Sequence, residues 1–192
     1  MQTAYIFRLA ATMFFVSNSL SLSKWMSQQE KKMILNDFFL SKRDYSKRYH
    51  LYEYVINRVG LNDAPINYIE FGVSAGHSIK WWAEHIKHSG SRFYGFDTFE
   101  GLPENWGTFH KGDMNSRIPQ LDDERVIFIK GLFQKTVPNF ISHQFEHQQR
   151  KVIHFDADLF SATLFALTSM APLLQSATSF FSTNLMCPIT NI

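Results

Sequence analysis

The chain has 192 residues, 45% of them apolar and 16% aromatic, enough to bury a core and to exclude disorder over most of its length. A net charge of +2 gives no general argument for nucleic acid as a partner. The single cysteine, Cys187, excludes an internal disulfide framework and a cysteine-based zinc site, and fits a reducing, cytoplasmic setting.

Residues 1–22 hold one charge, Arg8, around the apolar run from Leu9 to Val16, which is too short to span a bilayer. The weakly basic start and the lack of a small-x-small cleavage site make it a poor signal peptide. A packed helix, or one in weak contact with a membrane surface, is expected here. No transmembrane segment is expected elsewhere. Ser23–Phe39 reads as a polar helix. Lys47–Val59 reads as an amphipathic one with Leu51, Val55 and Ile56 on one face.

Gly60 and Asn62-Asp63-Ala64-Pro65 break that pattern, and strands then alternate with helices. The expected order is a strand at Tyr68–Phe71, a helix at Ser78–Lys87 closed by Gly90, and a strand at Phe93–Phe96. A long loop rich in Gly, Pro and Asn follows, then a strand at Val126–Lys130 and a helix at Val137–His147. A strand at Val152–Phe155 and a helix at Ala162–Leu173 complete the pattern. Continuous apolar strands separated by helices predict an α/β fold, a Rossmann-like, mostly parallel sheet with helices on both faces. Three regions are expected: a helical N-terminal extension (1–65), the Rossmann-like domain (66–174) and an aberrant tail (175–192).

The chemistry concentrates at Tyr68-Ile69-Glu70-Phe71-Gly72-Val73-Ser74-Ala75-Gly76-His77-Ser78, a strand, a glycine turn and a helix start. The turn lacks the close glycine pair of G-x-G-x-x-G, and no Lys follows Gly76 as a phosphate-binding loop requires. Glu70 would repel a phosphate and attract an ammonium. Asp97, ending the next apolar run, can accept hydrogen bonds from ribose hydroxyls. By themselves, the two glycines could merely permit a tight turn, and Asp97 could be a turn aspartate. Together, Glu70, Gly72, Gly76 and Asp97 suit S-adenosylmethionine better than a dinucleotide.

This segment resembles the first motif of class I S-adenosylmethionine-dependent methyltransferases. Three further blocks resemble the macrocin O-methyltransferase-like family: Tyr94-Gly95-Phe96-Asp97-Thr98-Phe99-Glu100-Gly101-Leu102-Pro103-Glu104, then Lys130-Gly131-Leu132-Phe133-Gln134-Lys135-Thr136-Val137-Pro138, then His154-Phe155-Asp156-Ala157-Asp158-Leu159-Phe160-Ser161-Ala162-Thr163. The resemblance implies that Glu70, Gly72, Gly76 and Ser78 surround the methionine part of the cofactor. It implies that Asp97 holds the ribose, and that Gly131 and Phe133 lie in a turn near the adenine. Asp156 would be catalytic as a ligand of a divalent cation, Mg²⁺, which positions a hydroxyl acceptor and lowers its pKa. Asp158 would support that site or cap the next helix. His154 is expected to pack in the sheet, and Trp81 and Trp82 to pack in their helix. The implied partner is a small, sugar-like hydroxyl acceptor. A homo-oligomer stays open.

The tail departs from the resemblance. The family carries an acidic pair on a further strand, whereas no Asp or Glu follows Asp158 here. Built from the third base of one codon and the first two of the next, permitted codons from Ser179 onward spell Ile/Val-Phe-Phe-Asp-Glu-Phe. The expectation is that residues from about Gln175 are translated out of frame and that the closing strands are missing. The chain as written would then be unstable or inactive. A non-catalytic cofactor-binding remnant, or an interaction protein, is the alternative.

Overall fold

The computed structural model describes residues 2–29, 44–143, 149–174 and 179–182. The chain divides into two compact units, Met1–Tyr54 and Val55–Ile192. In the first, α1 runs unbroken from Gln2 to Gln29. The helix therefore crosses Ser23, where a second helix was expected to start; the remainder of that expected helix, residues 30–39, lies outside the described residues. No apolar stripe runs along α1, and Phe14, Phe15, Leu20 and Trp25 are exposed. No described helix is long and apolar enough to cross a membrane. Asp44 then caps a short 3-10 turn, Tyr45–Lys47, by accepting the Ser46 N–H. That turn leads into α2 (Arg48–Val59), whose C-terminal half opens the second unit.

The second unit is built on a five-stranded sheet. In chain order it contains β1 (Ile66–Phe71), α3 (His77–His85), β2 (Arg92–Asp97) and β3 (Val126–Lys130). These are followed by α4 (Phe133–His143), β4 (Arg150–Phe155), α5 (Phe160–Met170) and β5 (Ser179–Ser182). The strands lie in the order β3-β2-β1-β4-β5, and every neighbouring pair is parallel. This is the expected α/β, Rossmann-like architecture.

One expectation is corrected. The sheet does not stop at β4, because Ser179–Ser182 pairs with it in register, Val152 opposite Ser179 and Phe155 opposite Ser182. A strand needs only an extended backbone beside an open edge, and the free edge of β4 supplies that template. Residues 175–178 and 183–192, which hold the rest of the expected aberrant tail, lie outside the described residues.

Alternation along the strands divides the core between two faces. Ile69, Phe71, Tyr94, Phe96, Ile153 and Phe155 form one apolar layer with Phe133, Val137 and Phe140 of α4 and Ala166 and Met170 of α5. On the other face, α3 lays Trp82 on Tyr68, with ring centroids 5.0 Å apart. α3 also packs closely on β2: a β-carbon at Gly95 would stand 3.1 Å from the Ile79 side chain. The chain moves outward from β1 through β2 to β3, then returns to place β4 on the other side of β1. The order therefore reverses between β1 and β4, and ligands of open parallel sheets bind at such a reversal, beyond the strands' carboxyl ends.

Candidate functional site

The reversal brings the ends of β1 and β4 into direct contact. Gly72 leaves β1 at φ +94°, and a β-carbon there would stand 2.6 Å from the Asp156 carbonyl oxygen. Only glycine permits that approach. Backbone hydrogen bonds fix it on both sides: Gly72 N–H donates to the Phe96 carbonyl at 2.9 Å, and Asp156 N–H donates to the Phe71 carbonyl at 2.8 Å. Asp156 is thus set beside the glycine turn by the backbone.

Asp97, at the end of β2, clamps the same turn. Its Oδ2 accepts the N–H groups of Val73 at 2.8 Å and Ser74 at 2.9 Å, and its Oδ1 accepts Phe99 N–H at 2.8 Å. A carboxylate offers about four lone-pair positions, so three are engaged and Oδ1 retains one. The expectation that Asp97 receives both ribose hydroxyls is narrowed accordingly: its own backbone contacts come first.

Gly76 is the N-cap of α3 at φ +77°, and a β-carbon there would stand 2.6 Å from Pro119. Pro119 belongs to the connection between β2 and β3, residues 98–125, which folds back over the turn; Ser116 Oγ also donates to the Ser74 carbonyl at 3.1 Å. Among the described residues, the non-glycine residues with positive φ are Ser74, Phe99 and Met114, all in the turn or in this connection. Strained backbone of that kind gathers at sites that bind. The connection is tied to β3 by Lys130 Nζ, 2.8 Å from Glu100 Oε1, which holds the Glu100 carboxyl below the ordinary carboxylate range.

Ser78 is buried in α3. Glu70 is 1% exposed, and its Oε2 accepts the Tyr68 hydroxyl at 2.6 Å. Gly131 follows β3 at φ +143°, its N–H donating to the Asp97 carbonyl at 2.9 Å. Phe133 is the first residue of α4, and its ring meets Phe71 edge-on at 5.2 Å, so it packs in the core. Trp82 is fully buried, and Trp81 stacks on His85 at 3.7 Å.

Asp158 does not cap α5. The N-cap is Leu159, with no side-chain cap bond. Asp158 is instead the site's perturbed acid. Although the residue remains exposed, its carboxyl is partly desolvated and lies near the negative Asp156 and Asp97, which together raise its pKa above the usual value. No property of the sequence alone marks that shift; it requires β2 and β4 to end at one edge.

A divalent cation does not fit this donor set. Among the described residues, no group of three or more His, Cys, Asp or Glu side chains could hold a metal ion. The nucleoside donor fits better, since Asp97 Oδ1 keeps an acceptor position for a ribose hydroxyl. Residues 69–181, more than half of the chain, match the family model described as a methyltransferase domain. No curated protein matches the chain.

Proposed function

The chain belongs to this methyltransferase domain family, whose methyl donor is generally S-adenosylmethionine, and from that premise we propose that it is an O-methyltransferase acting on a hydroxyl of a sugar or similar small molecule. When bound, the donor supplies a methyl group on a sulfonium centre. The Gly72–Gly76 turn would hold its amino-acid part, and Asp97 Oδ1 would accept one ribose hydroxyl.

The observation that carries the O-methyl reading is Asp158. A carboxyl whose pKa is raised is a better proton acceptor than an ordinary aspartate. With the donor bound, Asp158 would accept the proton of the acceptor hydroxyl as the methyl group is transferred to its oxygen. Asp156, fixed beside the turn, lies next to that carboxyl. No step passes through a metal, because the described residues do not assemble a site for one.

Incubating the full chain with methyl-labelled donor and a panel of sugars, phenols and amines tests this proposal. Label is expected in hydroxylated acceptors, with transfer reduced about 10²-fold or more by Asp158→Asn. Binding of the donor without transfer to any acceptor would favour the second reading, a cofactor-binding remnant.

A further inference from the structure

Tyr68, Glu70 and His154 form a closed polar cluster beneath the glycine turn, 0%, 1% and 0% exposed respectively. Sheet register brings them together: Tyr68 and Glu70 share one face of β1, and His154 of β4 stands opposite Glu70. The Tyr68 hydroxyl lies 2.6 Å from Glu70 Oε2 and 2.9 Å from His154 Nδ1, while Nδ1 lies 3.7 Å from the same carboxylate oxygen. The contact with Glu70 is the shorter of the two, and the single hydroxyl proton points to it. The phenolic oxygen must then accept from His154, which assigns the imidazole proton to Nδ1. Tyr68 itself cannot swing away, held by Trp82 on one side and by Phe93, 6.0 Å between centroids, on another.

We infer that Tyr68 and His154 are positioning residues for the cofactor site, holding the Glu70 carboxyl two residues before Gly72, where it favours the ammonium group of a ligand lying on the turn. The inference rests on the cofactor reading proposed above. Burial strengthens such an interaction, because few waters intervene to screen it. Glu70 Oε2 keeps an unused lone pair, but the mechanism does not require one.

The test compares two ligands that differ in the ammonium group. S-adenosylhomocysteine carries it, and 5′-methylthioadenosine, the same nucleoside thioether without the amino-acid tail, does not. Calorimetry on the full chain is expected to show Tyr68→Phe weakening S-adenosylhomocysteine about tenfold, the scale of one hydrogen bond to a charged group, with methylthioadenosine unchanged. Glu70→Gln should reproduce that selective loss, and the double variant should add little to it. His154→Asn keeps a donor near the Nδ1 position and should retain the preference, whereas His154→Leu should lose it. If Tyr68→Phe folds poorly, the His154 pair carries the same comparison. Equal weakening of both ligands, or no change in either, would overturn the inference while leaving the cofactor reading intact. Failure of the unaltered protein to bind either ligand would overturn both.

Discussion

Gly72 and Asp156 meet backbone to backbone: a β-carbon on the glycine would stand 2.6 Å from the aspartate's carbonyl oxygen. Gly72→Ala must therefore strain φ at +94° and push the end of β4 away from the turn. A loss of about 3 kcal/mol is expected from the combined strain and displacement. Gly107→Ala is the control, since its φ is also positive at +58° but nothing lies within 4 Å. It should cost only about 1 kcal/mol. Urea titration of both variants measures the difference, and equal losses would show that the close approach carries no energetic weight.

The Asp158 carboxyl is raised by desolvation and by its neighbours Asp156 and Asp97. As pH rises through the unfolded value of about 3.9, the unfolded chain gives up this proton before the folded chain does. The charge thus disfavours folding above that pH. Asp158→Asn should raise Tm at pH 7, and the gain should vanish below about pH 4. A gain that persists unchanged in acid would show that the effect is not electrostatic.

Asp123 behaves in the opposite sense. The Arg125 guanidinium bonds it at 2.6 Å and 3.0 Å and holds its carboxyl below the ordinary range. The same guanidinium donates to the Ala83 and Ile86 carbonyls at the end of α3, at 2.8 Å and 2.6 Å. Stability from the pair is present above about pH 3.9 and is lost as pH falls through the lowered folded value. Arg125→Met should cost roughly 2–3 kcal/mol at pH 7. The gap to the unaltered protein should narrow in acid without closing, because the helix-end contacts remain.

Much of this was legible in the sequence, for reasons that differ by element. Val126–Lys130 was placed to the residue because an apolar run sits between polar loops. The start of α4 was expected at Val137 and lies at Phe133, with Pro138 accommodated inside the helix. That shift moves Phe133 from an expected turn into the core. The glycine turn and Asp97 were visible as motif and spacing, but the clamp between them depends on Asp97 reaching Val73 and Ser74 across two strands. The partnership of Glu70 with His154 was not visible at all. The two residues are distant in sequence, and only the reversal in strand order sets β4 beside β1. β5 was missed because Ser179–Ser182 carries none of the expected acidic motif, although strand pairing depends on the backbone.

The out-of-frame reading of the tail stays a proposal with a direct check. It requires Ser182 to be encoded by TCG and Thr183 by ACG, which places Asp-Glu in the shifted frame. Sequencing the coding DNA decides it, and any other codon at either position removes the shifted pair. Since β5 forms from the chain as written, the loss expected from such a shift is of acidic side chains, and the fifth strand position remains filled.

The claim that the Gly72–Gly76 turn and Asp97 form a methyl-donor site is tested most directly by calorimetric titration of the full chain with S-adenosylmethionine. Saturable one-to-one binding is expected in the range of about 1 µM to 1 mM typical of enzyme substrates. Asp97→Asn should weaken it at least tenfold, because the amide keeps one acceptor oxygen and cannot serve both the turn N–H groups and the ribose hydroxyl. No heat of binding from the folded, unaltered protein, or undiminished affinity in folded Asp97→Asn, would contradict the account.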